Sequence, residues 1–424
     1  MVKLDAFEIE GPVKLKGVIK ISGAKNSALP CLIASLLTDE ELILSNIPEV
    51  QDVKTLFKLF DILNILYKIE DEKVIINAKN SINKMLPYEL TKKMRASILF
   101  LGPLLSRFRK TVIPLPGGCA IGPRPVDLHI EGLNKLGAEV SLEYGNINAK
   151  FDKIKGGKYT FPKVTVTGTE NLIMATVIGK GETILYNCAQ EPEVVDLCNL
   201  LTKMGAKIDG IGTSKLTIQA VEKLKGAQHK IIPDRIEAGT YIILSSILKE
   251  SSIIIEDFCA EHLNSLLEAL SFAGAKFDLK KNSININNNF NLKAHSIVTS
   301  PYPGFPTDLQ AQYTVAMTQA EGLCTIEERI FENRFNHIME LNRMGAEISI
   351  FRSIATVKGP VKLQGAPVMA SDLRASASLV LAGLLAEGKT RIHRIYHLDR
   401  GYYKMEEKLN KIGAKIKRIA VEGV

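Results

Sequence analysis

The sequence contains no apolar segment long enough to cross a membrane. Its most apolar runs, residues 96–105 and 377–386, are about half as long as the roughly 20 residues that a transmembrane helix needs. The first eight residues carry acidic side chains and no long apolar core, so we expect no secretory signal peptide. The six cysteines are scattered and form no CxxC pair, which disfavours disulfides and a zinc site. We therefore expect a reduced, cytoplasmic protein that does not insert into a membrane.

Common nucleotide-binding and metal-binding motifs are also missing. No GxGxxG follows a strand pattern, and neither GxxxxGKS nor GxxxxGKT occurs, which disfavours the two nucleotide sites that these motifs build. The seven histidines show neither HExxH nor a close metal-ligand spacing. We expect no metal site, and we expect the histidines to be solvated or buried in the core.

The composition is that of an ordinary globular chain. Hydrophobic residues make up 46% of the 424 residues and charged residues 24%, which argues against disorder, collagen and coiled coil. The length favours two or three domains. The net charge of +8 suits anionic small molecules as well as nucleic acids. Because the basic residues are spread among acidic ones without interleaved aromatic residues, nucleic-acid binding is disfavoured.

A short pattern recurs along the chain: an apolar residue, Gly-Ala, a charged residue and an apolar residue. Its glycines are spaced by 68, 69, 71 and 68 residues, at Gly137, Gly205, Gly274, Gly345 and Gly413. A degraded copy at residues 65–69 lies 71 residues before Gly137. Six units of about 70 residues account for the chain, and such a period indicates a repeat fold.

Each unit is predicted to contain a surface helix, a buried helix and several strands. The surface helix ends near the glycine, a natural helix C-cap. The second helix is apolar on nearly every face and is therefore expected to be buried on all sides. These buried helices are predicted at residues 28–37, 96–105, 171–178, 240–248, 310–320 and 375–386. Three units with their buried helices at a centre and their sheets outside would form one α/β domain, and two such groups would meet near residues 231–234.

Cations lie where several of the buried helices are predicted to begin. Lys25, Arg95, Arg235 and Arg374 occupy this place, although the positive end of a helix dipole disfavours a cation. Helix N-termini also bind anions through their free backbone N–H groups. We interpret the cations as part of an anion site in a cleft between the two domains, suited to a phosphorylated or carboxylated substrate. The alternative is that each cation is a solvated residue of a first helical turn.

The segment 114–125, rich in proline and glycine, is predicted to be a functional loop. It contains Cys119, five residues before Arg124. An exposed cysteine near cations is reactive because its pKa is lowered, whereas the alternative is a structural thiol. The other five cysteines lie in apolar contexts and are interpreted as core residues. Glu191-Pro192-Glu193 is a weaker candidate, either a carboxylate pair or a turn.

Nine strings of residues occur in order along the chain. They are 21–26 (ISGAKN), 94–97 (MRAS), 116–119 (PGGC), 124–129 (RPVDLH), 233–237 (PDRIE), 305–308 (FPTD), 331–335 (FENRF), 372–378 (DLRASAS) and 399–402 (DRGY). On these strings the chain resembles the UDP-N-acetylglucosamine 1-carboxyvinyltransferase family of enolpyruvyl transferases. The resemblance runs from about Phe7 to the C-terminus.

The resemblance implies two inverted α/β domains, each of three repeated units with buried central helices and outer sheets, with the active site in the interdomain cleft. The N-terminal domain would be residues 22–232 with the catalytic loop 114–125, and the C-terminal domain residues 1–21 plus 233–424. The implied reaction transfers enolpyruvate from phosphoenolpyruvate to the 3-hydroxyl of UDP-N-acetylglucosamine and releases phosphate, the first committed step of peptidoglycan synthesis. No metal or organic cofactor is implied.

The resemblance also implies roles for individual residues. Lys25 and Asn26 match contacts to phosphoenolpyruvate, and Arg124 and Arg400 match groups that serve its phosphate and carboxylate. Cys119 resembles the acid that protonates the methylene carbon and can hold a covalent phospholactoyl adduct. Asp308 resembles the group that takes the proton of the sugar hydroxyl. Further positions match residues that hold the nucleotide sugar or line the cleft: Arg95, Arg124, Pro125, Val126, Asp127, Leu128, Lys163, Val164, Thr165, Val166, Ile330, Arg334, Asp372 and Arg374.

Two residues depart from the family pattern. Gln51 stands where many relatives have lysine, and Thr167 replaces a common glycine near the pyrophosphate. Because Cys119 is intact, we predict inactivation by fosfomycin, an epoxide that alkylates this thiol in the family. The alternatives are enolpyruvyl transfer to shikimate 3-phosphate, a non-catalytic RNA-binding repeat protein, and a family member that has lost turnover.

Overall fold

The computed structural model describes residues 3–117, 126–151 and 156–422. These residues divide into two compact units. The N-terminal unit comprises residues 23–117, 126–151 and 156–232, and the C-terminal unit comprises residues 3–22 and 233–422. Each unit is an α/β structure built from three sheets and the helices that cover them.

The strands of the described residues are, in chain order, β1 (Lys3–Gly11), β2 (Lys16–Lys20), β3 (Leu42–Ser45), β4 (Leu66–Glu70), β5 (Lys73–Asn77), β6 (Lys110–Pro114), β7 (Glu139–Glu143), β8 (Asn146–Lys150), β9 (Gly157–Thr160), β10 (Glu182–Tyr186), β11 (Lys207–Asp209), β12 (Lys215–Gln219), β13 (Ala227–Lys230), β14 (Ser252–Glu256), β15 (Asp278–Leu279), β16 (Ser283–Asn287), β17 (Ile297–Val298), β18 (Gly322–Glu327), β19 (Glu347–Phe351), β20 (Ile354–Gly359), β21 (Pro367–Met369), β22 (Gly388–His393) and β23 (Ile416–Glu422).

The α-helices of the same residues are α1 (Lys25–Ile33), α2 (Gln51–Ile62), α3 (Tyr88–Thr91), α4 (Leu101–Phe108), α5 (Asp127–Lys135), α6 (Val166–Thr176), α7 (Pro192–Lys203), α8 (Arg235–Ile247), α9 (Asn264–Phe272), α10 (Gln310–Thr318), α11 (Asn336–Arg343), α12 (Leu373–Leu385) and α13 (Met405–Asn410). Short 3₁₀ helices occur at Ala34–Leu37, Arg95–Phe100, Ala260–Leu263, Thr307–Leu309 and Ile395–Arg400.

One sheet topology recurs in both units. A parallel pair of strands is followed by two antiparallel strands, as in the order β9-β10-β12-β11. The same arrangement holds for β13-β3-β5-β4, β2-β14-β16-β15, β17-β18-β20-β19 and β21-β22-β1-β23. The sixth sheet, β6-β8-β7, has three strands among the described residues. The repeat read from the glycine spacing is therefore a structural repeat.

The N-terminal strand completes the last repeat. In the other repeats with a four-stranded sheet, the chain runs from the surface helix into the fourth strand of the sheet and then directly into the third strand, as in α7, β11 and β12. In the sixth repeat β23 is close to the end of the chain, and β1 takes the third place, pairing antiparallel with both β22 and β23. The sequence pattern did not predict this sharing, because no local signal states which distant strand will fill an edge.

All six helices predicted to be buried are buried. In the N-terminal unit α4 packs against α6, and in the C-terminal unit α10 packs against α8 and α12. Every residue of α8 and of α10 is buried, and this includes polar residues such as Thr240 and Gln312. The helix α1 begins at Lys25, where a helix start was predicted, whereas α6 begins at Val166, with Thr165 as its N-cap, ahead of the predicted residues 171–178.

The surface helices end as the glycine pattern predicts. Each pattern glycine has φ between 92° and 111°, and the next residue donates its N–H five residues back, as in Ala138 to the carbonyl of Leu133. This is a Schellman cap, which favours glycine because a side chain is strained there. In the degraded first copy Asn64 takes this place with φ 55°, and Ile65 donates to Phe60. The cap residue therefore lies at Asn64, ahead of the copy predicted at residues 65–69.

Within residues 3–117, 126–151 and 156–422, no helix combines the length and the apolar character needed to cross a membrane.

Candidate active site

Asp308 is the centre of a charge cluster in the C-terminal unit. Nη2 of Arg334 donates to its Oδ1 at 2.7 Å, and Nη2 of Arg374 donates to its Oδ2 at 2.7 Å. Both arginine side chains are almost fully buried, whereas the carboxylate is 26% exposed. Burial alone would raise the pKa of Asp308, but the charges and hydrogen bonds of Arg374 and Arg334 hold that pKa far below its usual range. Three of the predicted site residues, Asp308, Arg334 and Arg374, thus form one cluster of ionised side chains.

Arg374 is fixed by the start of α12. Asp372 caps this helix, and its Oδ1 accepts from the backbone N–H groups of Arg374 at 2.8 Å and Ala375 at 3.1 Å. The guanidinium of Arg374 lies over the ring of Tyr402, 5.6 Å from its centroid, a favourable cation–π distance. The side chain that reaches Asp308 is therefore held both at its backbone and at its charged end.

A buried polar network of α8 and α10 supports the same cluster. The hydroxyls of Tyr402 and Thr240 are 2.7 Å apart. Nε2 of Gln312 donates to both hydroxyls, at 3.3 and 3.1 Å, and to the backbone carbonyl of Asp308 at 3.1 Å. Apart from Tyr402, which lies in one of the matched strings, sequence reasoning missed this network. Its members are far apart in the chain, and no spacing signals them.

Arg400 and Ile330 complete the predicted set in this unit. Arg400 ends the 3₁₀ helix Ile395–Arg400. The pKa of His397 is lowered first by burial and then by the charge of Arg400, while Asp372 opposes the shift, so Arg400 and Asp372 both lie near this histidine. The backbone N–H of Ile330 donates to Glu328 Oε1 at 2.8 Å.

In the N-terminal unit Lys25 begins α1 and is paired with Asp52 of α2. The distance from Nζ to Oδ2 is 3.3 Å, and the two side chains are only 12% and 6% exposed. Asp52 was not predicted as a site residue, because it lies in the first turn of a surface helix, where an acidic residue is ordinary. Asn26 follows Lys25 and is exposed. Gln51, the first residue of α2, is also exposed.

His129 joins three segments that carry predicted substrate contacts. Asn171 donates from Nδ2 to the carbonyl of Ile98 at 2.8 Å, and its Oδ1 accepts from the N–H of Gly102. The orientation of this amide is therefore fixed. The same Nδ2 lies 3.0 Å from Nδ1 of His129, so this ring nitrogen must be the acceptor. The proton then sits on Nε2, 3.3 Å from the Thr167 hydroxyl.

Burial first, and then the charge of Arg95, lowers the pKa of His129 to about 3. The imidazole is therefore neutral at physiological pH. It is a satisfied core histidine, as the sequence predicted, and it brings the Arg95–Phe100 helix, the start of α5 and the start of α6 to one region. Val126 lies just before α5, and Asp127 and Leu128 open it.

The remaining predicted contacts of this unit precede α6. Lys163 is exposed, and Val164, Thr165 and Val166 are partly exposed. The Thr165 hydroxyl accepts from the N–H of Gly168 at 3.2 Å, as an N-cap does. This cap was a signal that the sequence offered and that the prediction of a later helix start overlooked.

Cys119, Arg124 and Pro125 lie outside the described residues. Among the described cysteines, Cys31, Cys188, Cys198 and Cys324 are buried and Cys259 is partly exposed. Burial raises the pKa of the Cys188 and Cys198 thiols to about 12, which makes them unreactive. This agrees with their interpretation as core residues.

In the described part of the chain, one buried group of side chains lies close enough together to be considered as a metal site. The ligand atoms of Cys31, Asp196 and His229 lie within 4.8 Å of one another. However, His229 already contacts Asp196 through Nε2 at 2.8 Å and Lys203 Nζ through Nδ1 at 3.0 Å. Burial also raises the pKa of the Cys31 thiol, which disfavours the thiolate that a metal requires. We interpret the group as a hydrogen-bonded network that ties α1, α7 and β13 together.

The cations at helix starts are not solvated in every case. Arg235 and Arg374 are buried, and Arg235 lies over the ring of Tyr302 at 5.6 Å. The solvated interpretation is therefore wrong for these two arginines.

The Glu191-Pro192-Glu193 string begins α7, with Glu191 at the N-cap position, and Glu193 is buried near Glu170.

Comparison with known proteins defines the class. The EPSP synthase (3-phosphoshikimate 1-carboxyvinyltransferase) family matches residues 9–409. The solved structure of the enolpyruvyl transferase NikO from Streptomyces tendae has a TM-score of 0.91 at 22% identity and covers 99% of this chain and 100% of that one. EPSP synthase from Acinetobacter baumannii has a TM-score of 0.76 at 17% identity, with 98% and 100% covered. The fold and the family match together are those of the enolpyruvyl transferases.

Closer relatives narrow this class. UDP-N-acetylglucosamine 1-carboxyvinyltransferase of Hydrogenovibrio crunogenus is 51% identical over 417 residues, which is 98% of this chain and 100% of the relative. The enzyme of the same name from Koribacter versatilis is 51% identical over 420 residues, with 98% and 97% covered. The chain belongs to the UDP-N-acetylglucosamine 1-carboxyvinyltransferase family, as the nine sequence strings predicted.

Proposed function

We propose that this chain transfers enolpyruvate from phosphoenolpyruvate to the 3-hydroxyl of UDP-N-acetylglucosamine and releases phosphate, as the first committed step of peptidoglycan synthesis. The observation that carries the proposal is the Asp308 carboxylate, kept ionised by Arg334 and Arg374 beside a buried helix start. Its support from relatives is the name that full-length proteins at 51% identity bear. The proposed setting is the cytoplasm, where both substrates are available to reduced enzymes.

Phosphoenolpyruvate is the more strongly anionic substrate, and we assign it to cations. Lys25 and Asn26 would contact it, and Arg124 and Arg400 would serve its phosphate and carboxylate. Fixed cations stabilise a substrate of this charge and the phosphate as it leaves. The Asp52 contact supports this role for Lys25, because it holds the ammonium group in place before any substrate binds.

Cys119 is assigned as the acid that adds a proton to the methylene carbon. This protonation makes an oxocarbenium-like carbon, and the sugar oxygen forms its new bond there. The intermediate then loses phosphate and one methyl proton, which restores the enol ether. A positioned proton donor contributes about 10²–10⁴ to the rate of such a step.

Asp308 is assigned to the sugar hydroxyl. Because both of its oxygens already accept from arginines and its pKa lies far below the usual range, it is a weak base in this arrangement. Its first contribution is therefore to accept a hydrogen bond and orient the hydroxyl. Full transfer of the proton to Asp308 would require one arginine contact to lengthen.

The nucleotide sugar is assigned to Arg95, residues 124–128, residues 163–166 and Ile330, with Arg334, Asp372 and Arg374 around the reacting group. The start of α6 offers first-turn backbone N–H groups, which suit a diphosphate. The neutral His129 beside Arg95 supports this assignment, because it orders the site without adding charge. This division of roles treats residues 22–232 and residues 1–21 with 233–424 as two catalytic domains.

The test is phosphate release from phosphoenolpyruvate with UDP-N-acetylglucosamine, with the product identified by mass spectrometry. We expect release to require the nucleotide sugar, and to fail when shikimate 3-phosphate or RNA replaces it. Release that ignores the nucleotide sugar would contradict the proposal. Asp308→Ala should remove most of the activity, and an unchanged rate would reject its role.

Cys119 can be tested separately. Fosfomycin should inactivate the protein by alkylating one thiol, which peptide mapping should place on Cys119. Cys259→Ala is the matched control, because Cys259 is the described cysteine that is not fully buried. This variant should keep both its activity and its sensitivity. Full activity after stoichiometric labelling of Cys119 would contradict the assignment.

A further inference from the structure

We propose that Glu328 is a positioning residue that aligns Asp308 with the segment that carries Ile330 and Arg334. The inference rests on the proposed function, because it concerns the same reaction. Glu328 directly follows β18 and is only 3% exposed. Its carboxylate contacts one residue assigned to substrate, Ile330, and does so only through the backbone N–H, so any effect on the reaction must pass through the residues that it holds.

The carboxylate of Glu328 accepts hydrogen bonds from four donors. Its Oε1 accepts from the backbone N–H groups of Ile330 at 2.8 Å and Phe331 at 3.1 Å, and from the Thr299 hydroxyl at 2.9 Å. Its Oε2 accepts from the Thr307 hydroxyl at 2.8 Å. One side chain therefore joins three separate segments of the chain.

A carboxylate suits this place for a physical reason. An ionised carboxylate is a pure acceptor with about four lone-pair sites, and four donors converge on Glu328. Hydrogen bonds to a charged acceptor are shorter and about twice as strong as neutral ones. A buried charge is tolerated only when it is satisfied in this way. Three of the donors share Oε1 and the fourth contacts Oε2, so one side chain holds all four.

The hydrogen bonds of Glu328 link the segment that contains Asp308 to the segment that contains Arg334. Thr307, held by Glu328 Oε2, directly precedes Asp308 in the chain. Arg334 follows Phe331 by three residues and donates to Asp308 Oδ1 at 2.7 Å. Residues 328–334 are therefore tied to residues 307–308 at both ends, once through Glu328 and once through Arg334. Loss of the first tie leaves Asp308 held by the two arginines at its carboxylate and by Gln312 at its backbone carbonyl.

The expected consequence is catalytic misalignment. A displacement of about 1 Å at a reacting group can cost about 10²-fold in rate. Glu328→Ala should therefore lower kcat by about 10²-fold, and Thr307→Val, which removes one of the four donors, should lower it by about tenfold. The KM for phosphoenolpyruvate should stay within about twofold, because Glu328 contacts none of its assigned partners.

Glu328→Gln is the conservative variant. Its amide oxygen can still accept from Ile330 and Phe331, and its amide nitrogen can donate to the Thr307 hydroxyl. We expect it to keep kcat within about fivefold of the original chain. A loss as large as that of Glu328→Ala would overturn the proposal, because hydrogen-bonded alignment would then not be the cause.

Asn410→Ala is the matched structural control. Asn410 also ties a loop together, since it donates to the carbonyl of Ile416 at 2.8 Å and accepts from its N–H at 2.9 Å. Its removal should lower the melting temperature and leave kcat unchanged. If Thr307→Val and Glu328→Ala behave like this control, losing stability but not kcat, Glu328 is a merely structural residue and the proposal is wrong.

Hydrogen–deuterium exchange separates this inference from the proposed function. Glu328→Ala or Thr307→Val should speed exchange together in peptides covering residues 299–310 and 328–336, with β22 unchanged as an internal reference. If the original chain releases no phosphate with UDP-N-acetylglucosamine, the proposed function fails, and the exchange result still decides the inference. Unchanged exchange in these peptides would overturn it.

Discussion

Two carboxyl groups near the starts of buried central helices have pKa values that are shifted in opposite directions. Asp308 precedes α10 in the C-terminal unit, and Glu170 lies in the second turn of α6 in the N-terminal unit. Burial raises the pKa of both side chains, but Arg374 and Arg334 reverse the effect at Asp308. At Glu170 the charges of Glu193 and Glu191 add to it, and the pKa is raised well above its usual value. Burial acts in the same direction at both side chains, so the opposite outcomes come from the charges of their neighbours.

The two groups should make folding depend on pH in opposite directions. A carboxyl with a depressed pKa stabilises the fold above its unfolded pKa, about 3.9 for Asp, and the stabilisation is lost as the pH falls below that value. A carboxyl with a raised pKa leaves stability intact below its unfolded pKa, about 4.3 for Glu, and stability is lost as the pH rises toward the folded pKa. Protonation of Asp308 should therefore lower the free energy of unfolding in acid. Ionisation of Glu170 should lower it near neutral pH and above.

Asp308→Asn should have the largest effect. The amide cannot serve two arginines as a carboxylate does, and it cannot take a proton, so kcat should fall about 10²–10⁴-fold. The melting temperature should also fall, because breaking a buried ion pair costs about 3–5 kcal/mol. Initial rates of phosphate release and a thermal melt measure the two effects. A rate equal to that of the original chain would show that the ionised carboxylate is not needed.

Arg374→Met should come next. Asp308 keeps Arg334 but loses its other partner, so its pKa should rise toward the usual value and kcat should fall about 10²-fold. The acid limb of the kcat–pH profile should move to higher pH. Arg391→Met is the control, because Arg391 pairs with Glu8 at the surface. An unmoved acid limb would mean that Arg374 does not set the acidity of Asp308.

Much of the scaffold around these groups could be predicted from the sequence. Helices that are apolar on nearly every face were expected to be buried, and glycines such as Gly137 were expected to end the surface helices, because both signals are local. Asn64 escaped the pattern only because asparagine takes the same left-handed conformation as glycine. The resemblance added the roles of residues such as Asp308, which no local pattern contains.

The charge balance of the site could not be predicted from the sequence. Arg334 and Arg374 lie 26 and 66 residues from Asp308, and Lys25 meets Asp52 across 27 residues. Such pairs depend on which helix faces meet in three dimensions. The acidity of Glu170 depends in the same way on α7, which brings Glu193 beside it.

Glu170→Gln makes the same acid-to-amide change as Asp308→Asn and should have the opposite effect on stability. Oε1 of Glu170 has no hydrogen-bond partner within the described residues. A neutral amide at this position therefore removes the free-energy cost of ionising a buried carboxyl group. The melting temperature should rise relative to the original chain by about 2–4 °C more at pH 8 than at pH 5, with kcat unchanged. Glu182→Gln, at an exposed position of β10, controls for the lost charge. The same difference at both pH values would contradict the raised pKa.

Glu193→Gln should have the smallest effect and separates the causes at Glu170. Burial is the first cause of the raised pKa and Glu193 the second, so this variant should lower the pKa of Glu170 only in part. The loss of stability between pH 5 and pH 8 should shrink, but less than in Glu170→Gln. The double variant should add almost nothing to Glu170→Gln in this pH dependence, because contacting groups are not additive. Strictly additive melting shifts would show that the carboxyl groups of Glu170 and Glu193 do not interact, and the raised pKa of Glu170 would then need no contribution from Glu193.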